Sequence, residues 1–158
     1  MANRKYEQGT VLSVPLGADR VGFCRLLRSA FVEFFDVSRP GPDGIDLDEL
    51  SRTPIAFRIP VMNAAVNNRR WKVVGRLPLS PEEEREIYRC FKQDSISGAL
   101  TVFWVDPVSE AEHEEPASIE ECAGLEAAAV WSANHVEDRL RDHFDGRPNA
   151  WVESLRPR

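Results

Sequence analysis

The chain has 158 residues, of which 42% are hydrophobic and 29% are charged, and its formal net charge is −6. This composition is typical of one soluble globular domain over residues 1–158 and excludes a disordered chain. No apolar run approaches the ~20 residues that span a bilayer, and the first residues are polar, unlike a secretory signal. We therefore expect a cytoplasmic protein without a membrane partner.

The charge is distributed unevenly along the chain. Residues 1–79 contain 12 Lys and Arg against 8 Asp and Glu, whereas residues 80–158 contain 8 against 18. Between residues 106 and 126 there are eight acids and no Lys or Arg. Such a segment repels nucleic acid and attracts basic proteins. It is interpreted either as a solvated acidic loop or as a surface for a basic partner, with candidate residues Glu110, Glu112, Glu114, Glu115, Glu120 and Glu121.

The first forty residues predict an antiparallel meander. Three runs rich in strand-forming residues, over residues 10–16, 21–27 and 30–37, are separated by short connections. Three aromatic residues fall between positions 31 and 35. This density predicts a strand that is at least partly covered on both faces.

Strands and short helices are mixed in the middle of the chain. Asp46 is expected to cap a helix over residues 47–52, and strands are predicted over residues 55–61, 71–77 and 99–105. Residues 63–70 form a polar connection with some helical character. Ser80 followed by Pro81 predicts the start of a further short helix that leads toward Gly98.

The end of the chain predicts one longer helix. Periodicity does not separate strand from helix over residues 125–131. Ser132 or Asn134 is expected to cap an amphipathic helix that ends at Phe144, before the stop signal of Gly146. The mixed order predicts an α+β fold: a single domain with a curled antiparallel sheet, open or partly closed into a barrel, and a few packed helices.

One histidine and two aspartates near the end of the chain have the spacing of metal ligands on a helix. These candidate catalytic and metal-binding residues are His135, Asp138 and Asp142, which share one face of the last long helix. Imidazole and carboxylate groups are zinc ligands, but Arg139 and Arg141 are interleaved, and a solvated face of ion pairs has the same pattern. We therefore expect no cofactor unless the protein is an enzyme with a divalent metal such as zinc.

The cysteines and tryptophans are expected to be mainly buried structural residues and not reactive groups. The three cysteines are far apart and odd in number, which favours free structural thiols and a reducing compartment. The four tryptophans are expected to lie mostly in the core. One that is exposed beside the acidic segment would be a natural interface anchor.

Several segments resemble a known bacterial family. They are GTVLSVPL at residues 9–16, DRVGFCRLL at 19–27, WKVVG at 71–75, Pro78 with Leu79, and EECAGLEA at 120–127. Together they resemble family twenty-six of the polymorphic-toxin immunity proteins, whose name is sometimes joined to the small phosphotriesterase HocA. The motifs consist of glycines and apolar strand residues, so they specify a fold rather than an active site. The resemblance implies a cytoplasmic protein that binds and neutralises one toxin.

Two other functions stay open on the sequence. The joint family name implies a small metal-dependent phosphotriesterase, with the His135 cluster as metal site and Arg69, Arg70 and Lys72 as cations for the phosphoryl oxygens. An adaptor or ligand-binding module is the third hypothesis. The leading hypothesis is the immunity protein, with a basic cognate toxin as its partner.

Overall fold

The computed structural model describes residues 3–28 and 30–158. Its elements follow in chain order: β1 (Thr10–Pro15), β2 (Val21–Leu26), β3 (Phe31–Arg39), α1 (Leu47–Ser51), β4 (Ile55–Pro60), α2 (Asn63–Asn67), β5 (Lys72–Arg76), α3 (Pro81–Glu84), β6 (Cys90–Gln93), β7 (Leu100–Val105), β8 (Glu112–Pro116), α4 (Ile119–Ala123), β9 (Glu126–Ala127), α5 (Ala133–Phe144) and α6 (Ala150–Ser154). The α+β class is confirmed.

The larger sheet contains the first five strands in the order β4-β3-β2-β1-β5, and every neighbouring pair is antiparallel. Strands β1, β2 and β3 form the expected meander, because short turns can join only antiparallel neighbours. Strands β4 and β5 are the two edges, so the sheet does not close into a barrel.

Both faces of this sheet are covered. On one face, a cluster that includes Leu12, Phe34 and Trp71 packs against Val136 and Leu140 of α5. On the other face, Val11, Phe23 and Phe35 pack against Leu50 of α1. Because both faces are buried, these strands are continuous apolar runs rather than alternating ones, as the aromatic residues of β3 predict.

Helix α1 approaches the edge strand β5 at a glycine. A Cβ atom at Gly75 would lie 2.7 Å from a methyl carbon of Leu47. The absence of a side chain at residue 75 therefore allows α1 to pack against β5.

A buried carboxylate lies in the middle of the larger sheet. Glu33 of β3 is directly opposite Arg25 of β2 and Arg58 of β4. Its oxygens lie 2.6 Å from Nη2 of Arg25 and 3.4 Å from Nη2 of Arg58, and Arg25 also pairs with Glu83 of α3. Two arginines thus compensate the cost of burying Glu33.

A second, smaller sheet has the order β8-β7-β6-β9. Its pairs are antiparallel except for β6 with β9, which is parallel. The sequence pattern does not predict β6. It indicates a short helix that leads toward Gly98, whereas α3 has only four residues and the chain is extended again from Cys90 to Gln93. The buried residues Cys90 and Phe91 begin this strand.

The segment before the long helix resolves into extended backbone. Residues 126 and 127 form β9, and Trp131 forms a parallel bridge with Val61. Helix α5 then begins after Ser132, whose hydroxyl accepts a hydrogen bond from the backbone N–H of His135. Ser132 rather than Asn134 is therefore the capping residue.

The three cysteines are free and buried, as their spacing predicts. Burial raises the pKa of the Cys24 thiol and raises that of Cys90 to about 11. Within the part of the chain that the structure describes, no helix is both long and apolar enough to cross a membrane.

Candidate partner-binding site

The acidic segment is ordered as a strand and a helix, not as the loop that its composition suggests. Strand β8 forms a hairpin with β7, with Trp104 opposite His113. All five residues of β8 are exposed. Helix α4 follows directly, and its cap is Ser118. The six candidate glutamates lie on the β7–β8 turn, on β8 and on α4.

The turn between β7 and β8 is organised by Asp106. Its Oδ1 atom accepts hydrogen bonds from the backbone N–H groups of Val108 and Ser109, both at 2.8 Å. These bonds, first that of Ser109 and then that of Val108, lower the pKa of Asp106. Val108 is 79% exposed at the tip, and Glu110 has a left-handed φ of 62°.

The β6–β7 turn has the same construction. Oδ1 of Asp94 accepts from the N–H groups of Ile96 and Ser97, and Ile96 is 96% exposed at its tip. The position that corresponds to Glu110 is Gly98, with φ 75°. Glu110 therefore adopts a left-handed backbone conformation for which the β6–β7 turn uses glycine.

One face of the hairpin carries a partly neutralised acid. An oxygen of Glu114 lies 3.2 Å from Nζ of Lys92 on β6. The same Nζ atom lies 3.8 Å from the centre of the Phe103 ring. Because residues two apart in a strand share a face, Glu112 lies on this face as well, beyond the reach of any described ion-pair partner.

The opposite face of the hairpin carries two stacked aromatic rings. The rings of Trp104 and His113 are stacked, with centres 5.1 Å apart and planes 11° apart. The guanidinium of Arg89 lies 5.0 Å from the centre of the Trp104 ring. Trp104 lies beside β8 and is half-buried rather than exposed, so it is near the acidic segment but only partly accessible to a partner. Glu115 lies on the same face.

Besides Asp106, two acids in this segment have structural roles. The carboxylate of Glu121 accepts a hydrogen bond from the backbone N–H of Ser118 at 2.8 Å and completes a capping box. Glu126 accepts two hydrogen bonds from Arg139, at 2.7 and 3.0 Å. Neither carboxylate is as available to a partner as an unpaired surface acid.

Four of the remaining acids are available to a partner. Among residues 3–28 and 30–158, the structure shows no ion pair and no side-chain hydrogen bond for four exposed candidates: Glu110, Glu112, Glu115 and Glu120. These four glutamates and the half-exposed ring of Trp104 are together called the acidic hairpin surface, which extends over the β7–β8 turn, both faces of the hairpin and α4. It combines negative charge that nothing described compensates with an aromatic side chain that Arg89 and His113 hold in place.

The candidate metal residues lie on α5 but have other partners. The ring of His135 is stacked on that of Trp151, with centres 3.7 Å apart. Asp138 pairs with Arg141 at 2.5 Å and accepts a hydrogen bond from Nε1 of Trp151 at 3.5 Å. These contacts hold α6 against α5.

The third member, Asp142, is similarly engaged. It pairs with Arg147 at 3.2 Å and accepts a hydrogen bond from Nδ2 of Asn149 at 2.9 Å. Within the described residues, no three His, Cys, Asp or Glu side chains come together as a group that could hold a metal ion. The observed contacts have the pattern of ion pairs on a helix face.

The pairing of Lys92 with Glu114 and the packing of Arg89 on Trp104 are not visible in the sequence. Lys92 lies in β6 and Arg89 immediately precedes it, and the local sequence pattern does not predict this strand. Residues 89–93 read Arg-Cys-Phe-Lys-Gln, without the alternation of polar and apolar residues that marks a half-buried strand.

Comparison with known proteins gives one match. The family model described as Immunity protein 26 matches residues 7–99, which is more than half of the chain and includes β1 to β6. Strands β7 and β8 and helix α4, with the acidic hairpin surface, follow this stretch. No curated protein and no solved structure matches the chain.

Proposed function

Because the chain belongs to the immunity protein 26 family, we propose that it neutralises one cognate toxin by binding a basic surface of that toxin. The observation that carries this proposal is the set of four exposed glutamates without described ion-pair partners on the acidic hairpin surface. A basic partner supplies the missing counter-charges, and opposite potentials accelerate association and select the partner.

Charge distribution supports the direction of this pairing. Residues 80–158 contain 18 acids and 8 bases, and residues 106–126 contain no base. The toxin is therefore expected to present Lys and Arg. Since exposed charges are screened over about 8–10 Å at ordinary ionic strength, the association rate should fall as salt is added.

Trp104 supports the same surface for a second reason. Interface hot spots are enriched in tryptophan, and a ring already held in place loses little conformational entropy on binding. The stacked His113 ring and the Arg89 guanidinium restrict Trp104 before any partner arrives. Charge on the acidic hairpin surface thus selects the toxin, and Trp104 supplies apolar contact.

The position of this surface suits a specific inhibitor. The family match covers the larger sheet and β6, whereas β7, β8 and α4 lie after it. A recognition element attached at one edge of a scaffold can differ in charge without disturbing the core, since β8 is exposed along its whole length.

The test is binding to the purified toxin encoded beside this chain, measured by calorimetry at low and high salt. One variant combines Glu112→Gln, Glu115→Gln and Glu120→Gln. A matched control combines Asp43→Asn, Glu82→Gln and Glu84→Gln, which removes the same charge from exposed acids elsewhere.

We expect the hairpin variant to bind about tenfold more weakly, with a smaller dependence on salt, and the control to bind like the wild type. Trp104→Ala should cost about 2 kcal/mol or more of binding free energy. Equal losses of affinity in the hairpin variant and the control variant would show that net charge, and not the acidic hairpin surface, determines binding. A wild-type chain that does not bind the toxin at low salt would overturn the proposal.

A further inference from the structure

Strand β8 ends the smaller sheet, so one of its edges has no neighbour within the described chain. The hydrogen bonds at the two ends of the hairpin show which residues face β7. The N–H of Asp106 donates to the carbonyl of Ala111 at 2.8 Å, and the N–H of Ala117 donates to the carbonyl of Leu100 at 3.0 Å. Backbone groups of residues 111 and 117 therefore point toward β7.

Alternation determines the direction of the groups between these ends. In an antiparallel pair, every second residue turns its N–H and C=O toward the neighbouring strand. His113 and Glu115 are in phase with residues 111 and 117, so their groups bind β7. Glu112 and Glu114 are out of phase, so their N–H and C=O groups point to the free edge, where no described residue binds them.

The remaining edges are less suitable for a basic partner. Strands β4 and β5 are the edges of the larger sheet. Strand β4 carries Arg58 and no acid, and β5 carries Lys72 and Arg76, so neither offers a carboxylate to a basic segment. Strand β9 has two residues, and the side chain of Glu126 is bound by Arg139. Strand β8 is the described edge that combines free backbone groups with unpaired acids.

We propose that β8 binds the toxin by strand addition: an extended segment of the toxin, with Lys or Arg at alternate positions, pairs with the outer edge of β8. This inference rests on the proposed function and specifies its geometry. The backbone groups of Glu112 and Glu114 provide the hydrogen bonds. The unpaired side chain of Glu112 meets a cation of the added strand, whereas Glu114 already has Lys92 as its ion-pair partner at 3.2 Å.

The same residues limit what can be added. Unpaired glutamates on an edge oppose neutral and acidic strands, which is how charged edges prevent aggregation. Pro116 is the next residue after Glu114 whose backbone faces outward, and it has no N–H, so the edge offers no hydrogen-bond donor there. The site therefore fits a short basic strand.

The decisive measurement is residue-resolved amide hydrogen exchange by NMR, on the isotope-labelled chain alone and with the unlabelled toxin encoded beside it. In the free chain, the amides of Glu112 and Glu114 should exchange fast, and those of His113 and Glu115 slowly. The toxin should slow exchange at Glu112 and Glu114 by about tenfold or more.

A pair of variants separates backbone from charge. Glu114→Gln removes the carboxylate charge and its ion pair with Lys92. Glu114→Pro removes these and also the outward N–H, without breaking a bond to β7. We expect Glu114→Pro to bind about fivefold more weakly than Glu114→Gln, which is the effect of one hydrogen bond. Circular dichroism checks that both variants fold, and if the proline variant does not, the exchange result decides.

Each outcome has a distinct meaning. If the toxin binds but leaves the Glu112 and Glu114 amides unprotected, strand addition is wrong and the proposed function stands. Equal affinity of folded Glu114→Pro and Glu114→Gln variants leads to the same conclusion. If the toxin does not bind the wild-type chain, both proposals fall.

Discussion

Nε1 of Trp71 donates a hydrogen bond to Oε2 of Glu137 over 3.0 Å, and both residues are buried. Trp71 immediately precedes β5, and Glu137 lies on α5, so this bond joins the larger sheet to the helix that covers it. The second carboxylate oxygen accepts from Nη2 of Arg70 at 2.6 Å. The contact also connects the stretch that matches the family with the part of the chain that follows it.

Glu137→Leu should destabilise the fold by about 1–3 kcal/mol, because the N–H of Trp71 would remain buried without an acceptor. Arg70→Gln should cost less than about 1 kcal/mol, since Arg70 is 51% exposed. Urea unfolding of the two variants measures the difference. If the Arg70 variant proved as unstable as the Glu137 variant, the ion pair rather than the Trp71 bond would carry the stability.

Glu110→Gly should stabilise the hairpin. A left-handed φ of 62° costs a non-glycine residue about 1–2 kcal/mol, and glycine loses about 0.5–1 kcal/mol through its greater freedom in the unfolded chain. The net gain in the free energy of unfolding is about 0.5–1 kcal/mol. Gly98→Ala in the matching turn is the control and should destabilise. A destabilised Glu110→Gly variant would contradict this account.

The Asp106 turn should contribute to pH dependence. The N–H groups of Ser109 and Val108 hold the folded-state pKa of Asp106 below its ordinary value of 3.8. The carboxylate therefore contributes stability above pH 3.8, and this contribution is lost as the pH falls through the folded-state pKa. Thermal unfolding between pH 6 and pH 2.5 should show a shallower acid decline for Asp106→Asn than for the wild type. Identical slopes for the two proteins would contradict the prediction.

Zinc and chelators should leave the unfolding midpoint unchanged. His135, Asp138 and Asp142 already contact Trp151, Arg141 and Arg147 respectively. A metal that binds the folded state at 100 times its Kd would add about 2.7 kcal/mol to the free energy of unfolding. A dose-dependent increase with zinc that His135→Ala abolishes would contradict this prediction. Chelator-sensitive hydrolysis of a chromogenic phosphotriester would support the enzyme hypothesis instead.

Much of the larger sheet could be predicted from the sequence. The strands at residues 10–16, 21–27 and 55–61, and the helix starts at Asp46 and Ser80, are found within about one residue of their expected positions. These signals act over a few residues, through strand propensity, capping side chains and proline. The immunity-family resemblance was visible for the same reason, since its motifs consist of these strand residues and glycines.

The smaller sheet could be predicted only in part. Strand β7 has a clear apolar run, but β6 pairs in parallel with β9 more than thirty residues later, and nothing local specifies that pairing. Strand β8 has the composition of a solvated loop, and it is a strand because β7 supplies its hydrogen-bond partners. Charge alone predicted the acidic surface, but not which acids have partners.

The sequence by itself determined the class of fold, the strands of the larger sheet and the acidic character of the second half, because composition and short-range pattern are sufficient for these. Tertiary structure alone decided that Glu121 and Glu126 have structural roles, that Glu137 binds Trp71, and that Glu112 and Glu114 turn backbone groups to a free edge. A side chain's partner depends on residues that are distant in sequence and meet only when the chain is packed.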